Sequence, residues 1–275
     1  MDKGPQPENT PPTLYRYRSF EKESHLNTIQ KGTFWFAKAD SFNDPFDVNW
    51  GFDYSGSTEK KERWARDFLG RERPELTEEE RADLARERID EIEGDEEYRD
   101  WVEQEHIRQN QEKFGICSLS AKRDDILMWS HYSNHHRGFC VGIDTEALEE
   151  IQRRRSQKGH VLDLCEVNYD ERIPEVNFFD SMLGDWKEDA LRFITTKSDH
   201  WQYEEEYRLL LYNRPSTAYP LGIEVISEVI LGCEAEDEHR KEVLSIVDER
   251  PGVGISVYQA EKHDRRYKLT LHRIG

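Results

Sequence analysis

A long charged stretch, at about residues 57–114, differs in composition from the parts of the chain before and after it. On both sides of it, short apolar runs alternate with turn residues, which is typical of β-strands. Within it the residues favour helix, and Pro74 and Gly94 interrupt the pattern, which predicts about three helices. Thr77, followed three residues later by Glu80, has the spacing of a capping box. The pattern predicts an α+β fold with mixed short-stranded sheets and an acidic helical insertion.

Composition sets the expected boundaries of this fold. Residues 1–13 are polar and proline-rich and predict a disordered tail. Residues 14–275 are predicted as a single α+β domain that contains the insertion at about 57–114. After the insertion, the residue pattern predicts a helix that ends at Gly159 and a single helix over residues 179–201.

The net charge of -19 disfavours non-specific binding to nucleic acid or to an anionic membrane, because both carry charge of the same sign. No stretch approaches the roughly 18 apolar residues of a membrane span, and the first residues do not resemble a signal peptide. The cysteines are widely spaced, which suits reduced thiols. We therefore expect a soluble, cytoplasmic protein.

The segment WQYEEEYRLLL, residues 201–211, is predicted as a strand that leads into a buried apolar run. Alternation along a strand places Glu204, Glu206 and Arg208 on one face and turns Glu205 toward solvent. A plain solvated face would have the same pattern. A carboxylate close to the core, held by an arginine and tuned by burial, is the functional alternative.

The segment LMWSHYSNHHRG contains His131 and His135 at a spacing that can place two metal ligands on one face of a helix. Its asparagine and glycine favour a turn instead, and no carboxylate follows at a recognised spacing, so no metal is expected. A His131 that forms hydrogen bonds in a cleft beside Trp129 and Tyr132 is one alternative. A surface loop with a packed tryptophan is the other.

The segment DSFNDPFD has Asn43 and Asp44 directly before Pro45, which suits a tight turn. Its three aspartates do not have the spacing of a calcium loop. The segment is either a structural turn or a rim that contacts a ligand.

The segment LYRYRS is predicted as a strand with Arg16 and Arg18 on one face and Tyr15 and Tyr17 on the other. Guanidinium groups bind carboxylates and phosphates with matching geometry. The two arginines are therefore candidate partners either for internal carboxylates or for the phosphate of a ligand.

Several of these segments, taken in order, resemble one bacterial family, domain of unknown function 2971. They are LYRYRSF, FWFAKADSFNDPFD, ICSLS, ILMWSHYSNHHRGFCVGID, WQYEEEYRL and EVILG. The resemblance runs from about Leu14 to the C-terminus and omits the helical insertion. It implies a fold rather than a reaction.

The opening segment LYRYRSFEKESHLNTIQKGTFWFAKADSFND is also similar, more distantly, to the start of ADP-ribosyltransferase-like proteins. That resemblance implies a split sheet with NAD bound in a cleft between two small sheets. It also implies a catalytic glutamate on a late strand, here Glu206 or Glu204, although no clear Ser-Thr-Ser strand or His-Tyr-Glu set is present.

The remaining roles that this resemblance implies fall on residues of the same segments. Tyr17 and His131 are the other catalytic candidates, and Tyr17 or Trp129 is a candidate to stack on nicotinamide. The candidates for contacts to NAD are Arg16, Arg18, Asn43, Asp44, Trp129, Ser130, Tyr132 and Arg208.

Three functions are therefore open. The first is an NAD-dependent ADP-ribosyltransferase or NAD glycohydrolase that acts as a toxin or phage-defence effector, with Glu206 as its essential carboxylate and Glu204 and Arg208 as supports. The second is a non-catalytic sensor or protein-binding module that uses the acidic helices as its partner surface. The third and weakest is a metal-dependent nuclease that uses Asp44, Asp47 and His131.

Overall fold

The structure is a computed structural model that describes residue 7 and residues 9–157, 162–184, 186–250 and 252–275. The helix end predicted at Gly159 and most of the predicted N-terminal tail lie outside the described residues. The chain divides into two compact units. The first, here called the sheet unit, comprises the chain up to Ser41, Lys113–Val167 and His200–Gly275. The second, the helical unit, comprises Phe42–Glu112 and Asn168–Asp199.

Strands are numbered in chain order over the described residues. They are β1 Thr13–Arg18, β2 Thr33–Phe36, β3 Gly51–Asp53, β4 Phe114–Ser120, β5 Phe139–Asp144, β6 Leu162–Glu166, β7 Asn168–Asp170, β8 Glu175–Asn177, β9 Thr196–Ser198, β10 Glu206–Tyr212, β11 Thr217–Pro220, β12 Ile226–Leu231, β13 Ser256–Lys262 and β14 Leu269–Arg273.

Helices are numbered in the same way. They are α1 Glu23–Lys31, α2 Thr58–Glu72, α3 Glu78–Gly94, α4 Glu96–Gln111, α5 Ile126–Tyr132, α6 Thr145–Ser156, α7 Phe178–Leu183, α8 Trp186–Ile194 and α9 Asp237–Asp248. None of the helices in the described ranges has the length and apolar character that crossing a bilayer requires.

The sheet unit is built on one eight-stranded sheet in the order β14-β13-β12-β5-β1-β4-β10-β6. All neighbours pair antiparallel except β12 and β13, which run parallel and are connected through α9. The long sheet is continuous, so it differs from the split pair of small sheets that the ADP-ribosyltransferase resemblance implies. The predicted class, α+β with short strands, is confirmed.

The two faces of this sheet bury different clusters. Face A, which carries Val141 and Leu209, packs against α1, α6 and α9 and forms the larger core. Face B carries Tyr15 and Tyr17, and packs against α5 through Trp129. Because side chains alternate along a strand, the pairing Tyr15↔Ser120↔Glu206 places the side chains of all three on face B.

The helical unit contains α2, α3, α4, α7 and α8 together with the strand pairs β3–β8 and β7–β9, both parallel. The insertion is three helices, as predicted, and the Thr77 capping box is present in full. Trp64 of α2 packs against Phe178 at 5.2 Å between ring centroids. The helices of the insertion therefore share a core with residues 168–199, a late segment of the chain.

Two predicted elements are wrong. The single helix over residues 179–201 is instead two short helices, α7 and α8, followed by β9 and a 3-10 helix, Asp199–Glu204. The strand predicted from Trp201 begins only at Glu206, because that 3-10 helix occupies the preceding residues.

Candidate functional site

Three consecutive glutamates have three different environments where β10 begins. Glu204 is the last residue of the 3-10 helix and Glu206 is the first residue of β10. Between them, Glu205 has a left-handed backbone with φ 41°. This reversal breaks the alternation of the predicted strand, so Glu204 does not share a strand face with Glu206. The prediction that placed both carboxylates on one strand face is wrong.

Backbone contacts from the end of β4 hold this corner in place. The Ser120 hydroxyl donates to the carbonyl of Glu204 at 2.5 Å. The amide of Ala121 donates to the carbonyl of Glu205 at 3.0 Å. The Glu205 side chain is about half exposed and pairs with Lys122 at 2.7 Å, in agreement with its predicted solvent-facing position.

Glu206 is held in a buried ion pair with Arg208. The guanidinium donates from Nε to Oε1 at 2.9 Å and from Nη2 to Oε2 at 3.1 Å, so both carboxylate oxygens are used. The side chains of Glu206 and Arg208 are 3% and 0% exposed. Breaking one partner of such a pair leaves an uncompensated buried charge. This geometry is that of a structural anchor on face B.

Glu204 is also buried, with 3% exposure, but its setting is different. The hydroxyl of Tyr132, at the end of α5, donates to its Oε1 at 2.5 Å. Burial, with the Glu204 carboxylate adding to the effect, raises the pKa of Tyr203 to about 12. Glu204 is thus a buried carboxylate that receives a hydrogen bond from a neutral hydroxyl.

Partly exposed rings lie beside this carboxylate. The Tyr203 ring lies 6.1 Å from that of Trp201 and 6.4 Å from that of His131, measured between centroids. His131 in turn lies 6.2 Å from the ring of Tyr132. These four rings, Trp201, Tyr203, His131 and Tyr132, are called the ring cluster below. Aromatic faces of this kind can stack on a planar heterocycle.

Helix α5 positions Tyr132 because its N-terminus is capped and its first turn is packed. Asp125 is the N-cap, and its carboxylate accepts the amides of Leu127 and Met128. Trp129 is fully buried, and its indole N–H donates to the carbonyl of Arg123 at 2.9 Å. Helix α5 therefore cannot rotate without breaking this contact, and Tyr132 is held over Glu204.

Trp129 and Tyr17 are core residues. Their rings meet edge to face at 5.2 Å, and the Tyr17 hydroxyl donates to the carbonyl of Lys122 at 2.7 Å. Burial raises the pKa of Tyr17 above its usual value. Both side chains are buried, so neither ring has a face open to a ligand. The roles in catalysis and in nicotinamide stacking that the resemblance implies for them do not fit this packing.

Arg16 and Arg18 lie on face A, opposite Glu206, because they alternate with Tyr15 and Tyr17 along β1. Arg16 donates from Nη1 to the carbonyl of Ser118. Burial lowers the pKa of Arg18 to about 9, and the nearby Arg16 adds to the shift. The sheet thus separates these two arginines from the Glu206 carboxylate.

His131 and His135 do not have the geometry of a pair of metal ligands on one helix face. His131 lies within the helix, whereas His135 follows its end in a left-handed conformation with φ 54°. The two side chains therefore do not share a helix face. Within the described residues, no group of three or more His, Cys, Asp or Glu side chains could hold a metal ion. Ser130 lies in α5, and its carbonyl accepts the amide of His135.

Asn43 and Asp44 belong to the helical unit, where Asp44 makes a structural turn. Its carboxylate accepts the amide of Phe46 at 2.9 Å, and its carbonyl accepts the amide of Asp47 at 3.2 Å. Asp47 is buried and pairs with Lys197 at 3.9 Å. These contacts fit a structural turn, which is one of the two alternatives that the sequence leaves open.

Three contributors to the site are not among the residues that the sequence predicts for it: Trp201, Tyr203 and Ser120. All three lie in segments whose pattern predicts strand, and their contacts depend on the 3-10 helix and on the register of β4 with β10. The Ser-Asp pair at 198–199, which favours a turn or cap, was the available sign that a helical turn precedes the strand.

We expect Tyr132→Phe to lower the free energy of unfolding by about 1.5–3 kcal/mol, because a hydrogen bond to a buried carboxylate is lost. Urea denaturation followed by circular dichroism measures this. Tyr203→Phe is the matched control, since it removes a tyrosine hydroxyl from the same ring cluster without removing the bond to Glu204 Oε1. Equal losses in the two variants would contradict the assigned hydrogen bond.

The fold and site define a mixed α+β protein with buried carboxylates at one corner of a long sheet. The model of one family, described as Protein of unknown function (DUF2971), matches residues 128–209. This match confirms the resemblance to that family over a segment that runs from α5 into β10 and includes Tyr132, Glu204 and Glu206. No curated protein and no solved structure matches the chain.

Proposed function

We propose that this protein cleaves the bond between nicotinamide and ribose in NAD, as an ADP-ribosyltransferase or an NAD glycohydrolase. Glu204 is the reacting carboxylate in this proposal. The observation that carries it is a buried Glu204, held by the Tyr132 hydroxyl at 2.5 Å, beside the ring cluster.

The chemistry of the reaction suits a carboxylate in this setting. The bond from ribose C1′ to the nicotinamide nitrogen breaks, and nicotinamide leaves with the electron pair. The ribose then carries positive charge, which a fixed carboxylate stabilises most strongly where water is excluded. An oxygen of water or of an acceptor adds to C1′ and releases its proton.

Glu204 fits this role better than Glu206. Both oxygens of Glu206 accept hydrogen bonds from a buried guanidinium, which neutralises its charge. The Tyr132 hydroxyl donates to Oε1 of Glu204 and orients this carboxylate beside the ring cluster. We therefore assign the reacting role to Glu204, and a supporting role at the start of β10 to Glu206 and Arg208.

The ring cluster supports the choice of substrate class. Tyr203 and Trp201 are partly exposed and His131 is exposed, so the cluster can contact a ligand. Stacking on aromatic faces holds planar heterocycles such as nicotinamide and adenine. The cluster replaces Trp129 and Tyr17 as the proposed stacking surface.

Purified protein incubated with NAD tests the proposal. We expect release of nicotinamide, with ADP-ribose as the second product for a glycohydrolase and a modified acceptor for a transferase, both resolved by chromatography. Absence of nicotinamide release in the presence of candidate protein, DNA and RNA acceptors would contradict it.

A second candidate, a non-catalytic protein-binding module, is favoured by one observation. Trp101 on α4 is 61% exposed, although it is a large apolar side chain on an acidic helix. Exposed tryptophans are frequent anchors of protein interfaces. This candidate predicts no NAD turnover and a complex that Trp101→Ser disrupts.

The setting we propose for the activity is a cytoplasmic bacterial toxin or phage-defence effector. It rests on the sequence resemblances and on a net charge that keeps the chain away from anionic membranes and nucleic acid. This setting predicts that NAD is depleted in cells that produce the wild-type protein. It also predicts that NAD is not depleted in cells that produce Glu204→Gln.

A further inference from the structure

A cavity of about 610 Å³ in the sheet unit is not used by the proposed reaction. It is lined by His136, by Cys233 and Glu234 after β12, by Ile126 of α5, and by the loop between β13 and β14. Cavities of this size hold molecules as large as a nucleotide. The cavity is therefore large enough for a ligand of its own.

The loop from Lys262 to Lys268, KHDRRYK, gives the cavity a charge opposite to that of the chain. It has four lysines and arginines against one aspartate, in a protein of net charge -19. Lys262 forms an ion pair with Glu234. Arg265, Arg266 and Lys268 form no ion pair within the described ranges, although Asp264 lies beside Arg265 in sequence.

Basic side chains that line a cavity and have no ion-pair partner among the described residues are available to bind an anionic ligand. Guanidinium groups match the geometry of phosphate oxygens and bind them through paired hydrogen bonds. Tyr267, in the middle of the same loop, is 99% exposed, so its ring is free to stack on a flat base. Ile126, 37% exposed, adds an apolar wall. These are the contacts that phosphates and a base require.

His136, which lines the cavity, is the last residue of a left-handed turn. Asn134, His135 and His136 all have left-handed backbones, with φ of 49°, 54° and 66°. Such conformations are costly for residues other than glycine, and in proteins they cluster at functional sites.

Tight packing holds this turn in place. The carbonyl of His136 accepts the amide of Glu234 at 3.0 Å, and a Cβ on Gly232 would meet that carbonyl at 2.0 Å. The turn also leaves the buried Nδ1 of His136 without a hydrogen-bond partner among the described residues.

We propose that this cavity binds a phosphorylated nucleotide, with Arg265 and Arg266 holding the phosphates and Tyr267 stacking on the base. The site is separate from Glu204 and Tyr132, so its occupant is a ligand in addition to the substrate of the proposed reaction. A nucleotide bound at this site would regulate the protein. The proposal of this site does not depend on whether the protein turns over NAD.

Isothermal titration with ATP tests the proposal, with inorganic tripolyphosphate as a probe for the phosphates alone. We expect saturable binding of both that weakens as salt is raised. Arg265→Ala/Arg266→Ala should weaken ATP and tripolyphosphate at least about tenfold, because charge-assisted hydrogen bonds are lost. Tyr267→Ala should weaken ATP at least about fivefold and leave tripolyphosphate unchanged, because stacking alone is lost.

Arg153→Ala/Arg154→Ala on α6 is the matched control. It removes two exposed positive charges from the same unit, but both arginines pair with Glu150. We expect it to bind both probes as the wild type does, and Glu204→Gln to do the same. No saturable binding up to about 1 mM, equal weakening by the two double variants, or tight binding of a single-stranded oligonucleotide with weak binding of ATP would each overturn the proposal.

Discussion

Glu206→Ala should destabilise the protein by about 3–5 kcal/mol, because it leaves the fully buried guanidinium of Arg208 without the carboxylate that binds both its Nε and its Nη2. The loss is expected as an earlier midpoint of urea denaturation. Glu206→Gln should lose less, since the amide oxygen keeps one acceptor for the guanidinium.

Glu205→Ala is the control for this substitution. Its carboxylate is about half exposed and pairs with Lys122 at the surface, where ion pairs contribute about 0–1 kcal/mol. A loss for Glu206→Ala no larger than that of Glu205→Ala would contradict the structural role assigned to the buried pair.

Glu204→Gln should lower kcat for nicotinamide release by at least about 100-fold, because the charge that stabilises the transition state is removed from a water-excluded position. The KM for NAD should change little, since stacking on the ring cluster remains. Initial rates over a range of NAD concentrations separate the two constants.

Two further variants distinguish charge from orientation. Glu204→Asp keeps the charge but shortens the side chain, so part of the rate should return when the carboxylate can still reach the ribose. Tyr132→Phe keeps the Glu204 charge and releases its orientation, so its rate should fall between those of wild type and Glu204→Gln. A Tyr132→Phe rate below that of Glu204→Gln would contradict the assigned roles.

Local patterns were predictable from the sequence because their causes are local. The Thr77 capping box needs only Thr77 and Glu80, and both of its hydrogen bonds form within one turn. Helix α1 ends at Lys31, and the next residue, Gly32, has the left-handed conformation, with φ 61°, of a typical glycine C-cap. The number of helices in the insertion follows from its proline and glycine in the same way.

The candidate site was harder to predict because it depends on one backbone reversal and on register. Alternation assumes an extended chain, and the left-handed φ of Glu205 ends that assumption between Glu204 and Glu206. The alternation of polar and apolar residues in a sequence does not indicate where the backbone makes such a reversal. The sequence therefore predicts a candidate site in this segment, but it places on one strand face two carboxylates that the structure separates.

The two arginines of β1 illustrate the second limit. Their spacing correctly predicts that Arg16 and Arg18 share a face, but it does not say which face of the sheet that is. The pairing of Tyr15 with Ser120, and of Ser120 with Glu206, decides it. Pairing between strands so distant in sequence depends on tertiary packing, as does the packing of residues 168–199 with the insertion.

The most direct test of the central claim compares nicotinamide release by wild-type protein and by Glu204→Gln, Glu205→Gln and Glu206→Gln. Each rate is divided by the folded fraction of that variant. The account predicts a wild-type rate for Glu205→Gln, a rate at least about 100-fold lower for Glu204→Gln, and a normal rate per folded molecule for Glu206→Gln. Turnover by Glu204→Gln at the wild-type rate would contradict it.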